Sequence, residues 1–158
     1  MTRTAMTLMK SKNLEDKISE LSESYLLTPG ADESELDRFL KNCENNLSLT
    51  PPIGYLSFLK SYNGIAGNGV FLYSTYRKPF EACEGENNDF VEMNLFWRDL
   101  DWMSDYLIFG DSDMDIYVLE ITTGKYQVRD RQAFDNLFNE FSTFEGLLEH
   151  VIDQIANE

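Results

Sequence analysis

Apolar residues recur along this chain at a helical period in its first third, at a strand period in its middle, and at a helical period again at its end. Leu14, Ile18 and Leu21 share one face of a helix starting at Asn13, with Glu15, Asp16, Lys17 and Glu20 around the rest. Asn13 is suited to cap it, and Thr28-Pro29-Gly30 breaks it. A second helix is predicted over 32–45. Leu36, Phe39, Leu40 and Cys43 form its apolar face, and Asp32, Glu33 and Glu35 crowd the end where the helix dipole favours negative charge. The sharpest signal follows. Pro51-Pro52 stops whatever precedes it, and Tyr55, Leu56, Phe58, Leu59 and Tyr62 then recur at helical spacing. Asn63-Gly64 is expected to close this short helix, since both residues accept the left-handed conformation.

Beyond it the texture changes. Gly64, Gly67 and Gly69, with Asn68 among them, predict a tight turn entering a strand over 70–76. Residues 79–92 read as an acidic loop. Phe90, Val91, Asn94, Leu95, Trp97, Arg98 and Met103 then predict a helix ending near Trp102. Strands follow over 106–109, 114–122 and 125–130, joined by Gly110-Asp111-Ser112-Asp113 and Thr123-Gly124. Turns this short join only antiparallel strands. Phe144, Leu147, Leu148, Val151, Ile152 and Ile155 share a face of a closing helix to about 156, with Thr143 at its cap. Helices and strands in separate blocks predict the α+β class: an antiparallel central sheet flanked by N-terminal helices and a closing C-terminal helix. Residues 1–12 read as a flexible leader and 13–158 as a single domain, since 158 residues bury a sufficient core without a metal or disulfide.

Charge narrows the partners. The formal net charge is −15, which repels phosphate backbones and anionic membranes and attracts basic proteins. The same charge is also common in proteins that need it only for solubility. The first ten residues lack an apolar core of signal-peptide length, and no apolar run spans a bilayer, so a cytoplasmic location is expected. Cys43 and Cys83 are the only cysteines, too few for a disulfide framework.

Candidate chemistry is sparse. The glycines at 64–69 follow a helix and precede a strand, the reverse of a phosphate-binding loop, and no Lys-Ser/Thr pair accompanies them. Asp111-Ser112-Asp113-Met114-Asp115 begins like a calcium loop. The sixth and twelfth places hold Ile116 and Thr122 instead of the required Gly and Glu, so a hairpin turn is the better reading. His150, the single histidine, sits on the last helix beside carboxylates, without the companions of a triad or a zinc site. No enzyme motif, cofactor or metal site is expected. Trp97 and Trp102 are expected in the core for the area they bury, with a partly exposed aromatic patch as the alternative.

Four motifs in order resemble the SUKH superfamily. They are Pro52, Tyr55, Phe58, Leu59, Asn63 and Gly64; then Phe109, Gly110, Asp113 and Tyr117; then Thr123-Gly124; then Thr143-Phe144 with Leu147-Leu148. The resemblance covers roughly 32–156. The doubled proline and the acidic stretch between Pro79 and Asp101 depart from it. It implies an α+β fold and, for most members, a bacterial immunity protein that binds and neutralises a cognate toxin domain, often a nuclease. Some members are regulatory scaffolds instead, and none supplies catalytic residues to carry over. Acidic residues beside aromatics mark the expected contact surface for a basic partner: Glu81, Glu84, Glu86, Asp89, Glu92, Trp97, Asp99, Asp101, Trp102, Asp111 and Asp113.

Overall fold

A computed structural model describes residues 16–18, 26–80 and 84–156. One seven-stranded sheet runs in sequence order, each strand antiparallel to the next. Its strands are β1 (Leu26–Pro29), β2 (Tyr62–Gly67), β3 (Val70–Leu72), β4 (Tyr106–Asp111), β5 (Asp115–Glu120), β6 (Lys125–Asp130) and β7 (Leu137–Phe141). Helices α1 (Glu33–Leu47) and α2 (Ile53–Ser61) lie between β1 and β2. Helix α3 (Phe90–Trp97) and a 3-10 turn (Asp101–Asp105) lie between β3 and β4, and α4 (Phe144–Ala156) closes the chain. The predicted α+β class with helices flanking an antiparallel sheet is the observed one. The expected first helix lies mostly outside the described residues; residues 16–18 are helical, with Ile18 buried and Lys17 bonded to Asp153 at 2.9 Å.

The core is an aromatic cluster centred on Tyr55 of α2. Its ring centroid lies 5.0 Å from both Phe90 and Phe109, 5.6 Å from Phe144 and 6.4 Å from Phe39. Five rings from five elements meet there, so the apolar stripe after the double proline does hold the layers together. The Tyr55 hydroxyl donates to the carbonyl of Tyr73 at 2.7 Å, which satisfies the one polar atom the ring carries inward.

Asn63-Gly64 does not cap α2. The helix ends at Ser61, its cap residue Tyr62 is extended, and Asn63 and Gly64 belong to β2. Gly64 has φ +93° within a strand, and a Cβ there would overlap the side chains of Asn87 and Ser74. Asn63 accepts from Thr75 N at 2.9 Å, donates to Thr75 Oγ1 at 2.9 Å, and its carbonyl accepts from Ser74 Oγ at 2.7 Å. The pair therefore fixes the segment after β3 against β2, a role that depends on contacts distant in sequence.

Other boundaries moved for comparable reasons. Leu26–Pro29, expected as the end of a helix, is an edge strand paired with β2, a place where proline is tolerated. Helix α1 continues two residues past Asn45 and ends with Ser48 in the left-handed conformation, while Asp32 and Glu35 form a reciprocal capping box. The strand expected over 70–76 stops at Leu72. Strand β7 falls in a stretch that the sequence pattern left unassigned.

The short β3 leaves the first half of β4 without a strand neighbour on the side away from β5. Asn94 of α3 takes that place: it donates to Ile108 O at 2.9 Å, accepts from Ile108 N at 2.8 Å, and donates to Phe90 O at 2.9 Å. A buried asparagine presents the same donor and acceptor as a peptide group, so α3 is held to the sheet as an extra strand would be.

Candidate functional site: an aromatic and acidic docking surface

The eleven sequence-predicted contact residues do not form one patch. Glu81 falls outside the described residues. Glu84 is exposed in a turn closed by Phe80 N donating to Gly85 O at 3.0 Å. Glu86 and Glu92 flank Arg77, at 3.9 Å and 2.8 Å. Asp89 caps α3 by accepting from Glu92 N at 3.1 Å. Burial pushes the Asp89 carboxyl above its ordinary range, opposed by that backbone N–H. Asp89 also lines a cavity of about 350 Å³ with Glu35, Arg38 and Phe39. Asp113 is exposed at the turn between β4 and β5.

Trp97 and Asp111 do come together, with Asp111 buried, Trp97 half-buried and Arg131 between them. Arg131 Nη1 lies 3.2 Å from Asp111 Oδ1, and its guanidinium sits 5.7 Å from the Trp97 ring. The Tyr73 hydroxyl donates to the other Asp111 oxygen. Burial first, and then the negative Asp111, push the Tyr73 pKa well above its usual value. A carboxylate matched by a guanidinium and a phenol, with the pair packed under an indole, is internal structure rather than a contact surface.

Asp99, Asp101 and Trp102 are exposed together on the connection from α3 to β4. Core placement of both tryptophans is therefore corrected: Trp97 is half-buried and Trp102 is 49% exposed, because the 3-10 turn inserts Met103 into the core instead. Trp102 leans on Phe134 at 5.0 Å, and Phe134 meets Tyr106 at 4.8 Å. Beneath them the Arg129 guanidinium lies 5.2 Å from the Tyr106 ring and 5.1 Å from the Phe134 ring. Arg129 Nε donates to Gln127 Oε1 at 2.7 Å and Nη1 to Phe134 O at 3.1 Å, while Gln127 donates to Glu140 at 2.9 Å. The Tyr106 hydroxyl donates to Glu120 at 3.1 Å. The Glu120 carboxyl is held below its usual range, first by the Thr123 hydroxyl. The aromatic surface thus rests on a bonded platform rather than on loose loops.

Sequence reasoning missed most of the apolar members of this surface. Leu95, Phe96, Leu100, Leu137 and Phe138 are all largely exposed. Phe96 packs its ring 5.6 Å from Trp97, and Phe134 is half-buried. Helical spacing had placed Leu95 inward. The available signal was that apolar residues surround α3 on all sides, more than a short helix on one sheet edge can bury. Acidic Glu92, Asp99, Asp101 and Asp105 border this segment, all exposed. Such a surface suits recognition of a polypeptide with apolar and basic side chains. Among the described residues no three His, Cys, Asp or Glu side chains gather closely enough to hold a metal ion, and no helix is long and apolar enough to cross a membrane. Neither a family model nor a curated protein matches the chain.

Proposed function

We propose that this chain is an immunity protein that binds and neutralises a cognate toxin domain, a basic nuclease being the best fit, without performing catalysis itself. The observation that carries this reading is the exposed Trp102, held on the Phe134–Tyr106–Arg129 platform and bordered by Asp99, Asp101 and Asp105. A preformed aromatic anchor with an acidic rim lowers the ordering cost of docking and accelerates encounter with a basic partner. The net charge of −15 acts in the same direction and makes nucleic acid and anionic membrane poor partners. The motif order from Pro52 to Leu148, which resembles the SUKH superfamily, supports the same reading. On it the protein acts in the cytoplasm, where an incoming nuclease would find its substrate.

The test is survival. The chain is co-expressed with a panel of toxic nuclease domains, and rescue by one of them, with a complex that co-purifies, is the expected result. Lysine at Asp99, Asp101 and Asp105 together should slow association and weaken the complex. Rescue of none, or stable binding that leaves nuclease activity intact, would reject neutralisation and favour a scaffold.

A further inference from the structure

We propose that β7 is a strand-addition edge that takes an extended, basic segment of the partner polypeptide. This rests on the docking reading above and names how the docking is made. Among the described residues β7 is the last strand of the sheet and pairs only with β6. Asp130 N donates to Asn136 O at 3.0 Å, and Val128 stands opposite Asn139. Alternation along the ladder then turns the backbone of Asn139 and Phe141 toward β6 and that of Glu140 away from it, while Phe138 is the extra residue of a bulge whose N–H faces β6. Among the described residues no backbone hydrogen bond outside the ladder reaches β7.

Natural sheets blunt such edges with charged side chains, lysine above all, with proline, bulges or a covering element. The opposite edge carries Pro29, whereas Leu137-Phe138-Asn139-Glu140-Phe141 contains neither lysine nor proline and carries one charge, Glu140, and the bulge at Phe138. Leu137 and Phe138 are 46% and 50% exposed on it. A cavity of about 380 Å³ lined by Trp102, Ala133, Phe134 and Asp135 opens just before the strand begins. An added strand would gain main-chain bonds along β7 and a socket for one side chain beside Trp102, the two components of recognition by strand addition.

Charge selects the occupant. Glu140 lies on the strand and Asp135 just before it, lining the cavity with Trp102, and the arginines of the neighbouring segment are paired, Arg129 with Glu120 at 3.8 Å and Arg131 with Asp111 at 3.2 Å. Lys125, at the start of β6 next to the residue that pairs with Phe141, is exposed. A second copy of the chain would bring a second −15 and the same acidic border against this one. The register shift at Phe138 also bends the strand away from the flat shape that favours self-pairing.

The test uses the full chain and a display library of short peptides with lysine or arginine at alternate positions. Recovered peptides should slow amide exchange at Glu140. Glu140→Pro removes the outward donor, and Glu140→Ala keeps it. Binding should be about tenfold weaker in the proline variant than in the alanine variant, the effect of one hydrogen bond lost. Peptides that bind both variants equally, or a library that yields none, overturn the proposal. If the proline variant does not fold, exchange at the Glu140 amide in the unmodified chain decides. A dimer that dissolves in the proline variant assigns the edge to a second copy and also overturns it. Toxin survival is scored separately: rescue without edge binding refutes only the strand-addition mode, and edge binding without rescue refutes only the immunity reading.

Discussion

Replacing Asn94 by alanine should unseat α3 from the sheet. In the folded protein Asn94 is fully buried, and its amide satisfies both the N–H and the C=O of Ile108 as well as the carbonyl of Phe90. Alanine leaves the Ile108 pair without partners in a site closed by neighbouring apolar side chains. Each orphaned group costs about 1–3 kcal/mol, so the loss is about 2–6 kcal/mol, the lower end applying where water enters the space left by the amide. For a domain of this size that lowers the melting temperature by about 2–4 °C per kcal/mol. Urea denaturation followed by tryptophan fluorescence gives the free energy directly. Asn46→Ala is the control, since Asn46 is exposed, bonds to Asn42 one turn back on α1, and should change stability by less than about 0.5 kcal/mol when replaced. Asn94→Asp keeps the acceptor for Ile108 N and loses both donors, so it should be at least as damaging as alanine at neutral pH. A loss below about 1 kcal/mol in Asn94→Ala would refute the claim that this side chain stands in for a strand. On the proposed immunity reading the same variant should also weaken binding of the toxin domain, because α3 carries Leu95 and Phe96 and leads to Trp102.

Other outcomes follow from the same geometry. Trp102→Ala removes an exposed ring, so the melting temperature should move by no more than about 4 °C, the shift expected from about 1 kcal/mol, while affinity for the rescued toxin falls by about 2 kcal/mol or more. Gly64→Ala meets both a positive φ and the side chains of Asn87 and Ser74, and should cost more than about 3 kcal/mol, read as a loss of soluble folded protein or of cooperative melting. His150 packs 5.6 Å from the Phe141 ring, and burial lowers its pKa, opposed by the negative Asp115 and Asp153. Its folded pKa lies below the unfolded one, so it contributes stability above pH about 6.5 that is lost as the pH falls through the folded value. Chemical denaturation at a series of pH values should show that loss, and His150→Gln should flatten it. Equal slopes in the two proteins would remove the histidine from the account.

Periodicity and turn chemistry were enough for the element types. The stripe Tyr55, Phe58 and Leu59, the acidic first turn at Asp32, Glu33 and Glu35, the cap at Thr143, and the hairpin at Thr123-Gly124 are local signals. They act within a turn or two of the chain, and they yield the α+β class. Strand β6 was placed at its observed limits because Tyr126 and Val128 alternate directly after the short Thr123-Gly124 turn. The acidic and aromatic character of the surface was equally legible, since Asp99, Asp101 and Trp102 lie next to one another in sequence.

Tertiary contact decided the rest. Asn63 reads along the chain as a helix end, Asn87 as a loop residue and Asn94 as one more position of a helix, yet each is buried and bonds the backbone of a distant segment. Asp111 reads as a contact-surface carboxylate, yet it is buried and paired with Arg131, on the far side of a hairpin. Leu95 belongs to an apolar helical pattern, yet it is exposed because the sheet has no further element to cover it. A sequence fixes which side chains are apolar, charged or able to bend the backbone, because those properties belong to single residues. Whether a given carboxylate is matched by a cation, or a given ring left facing water, depends on which remote segment arrives beside it, and that is settled only when all seven strands are in register.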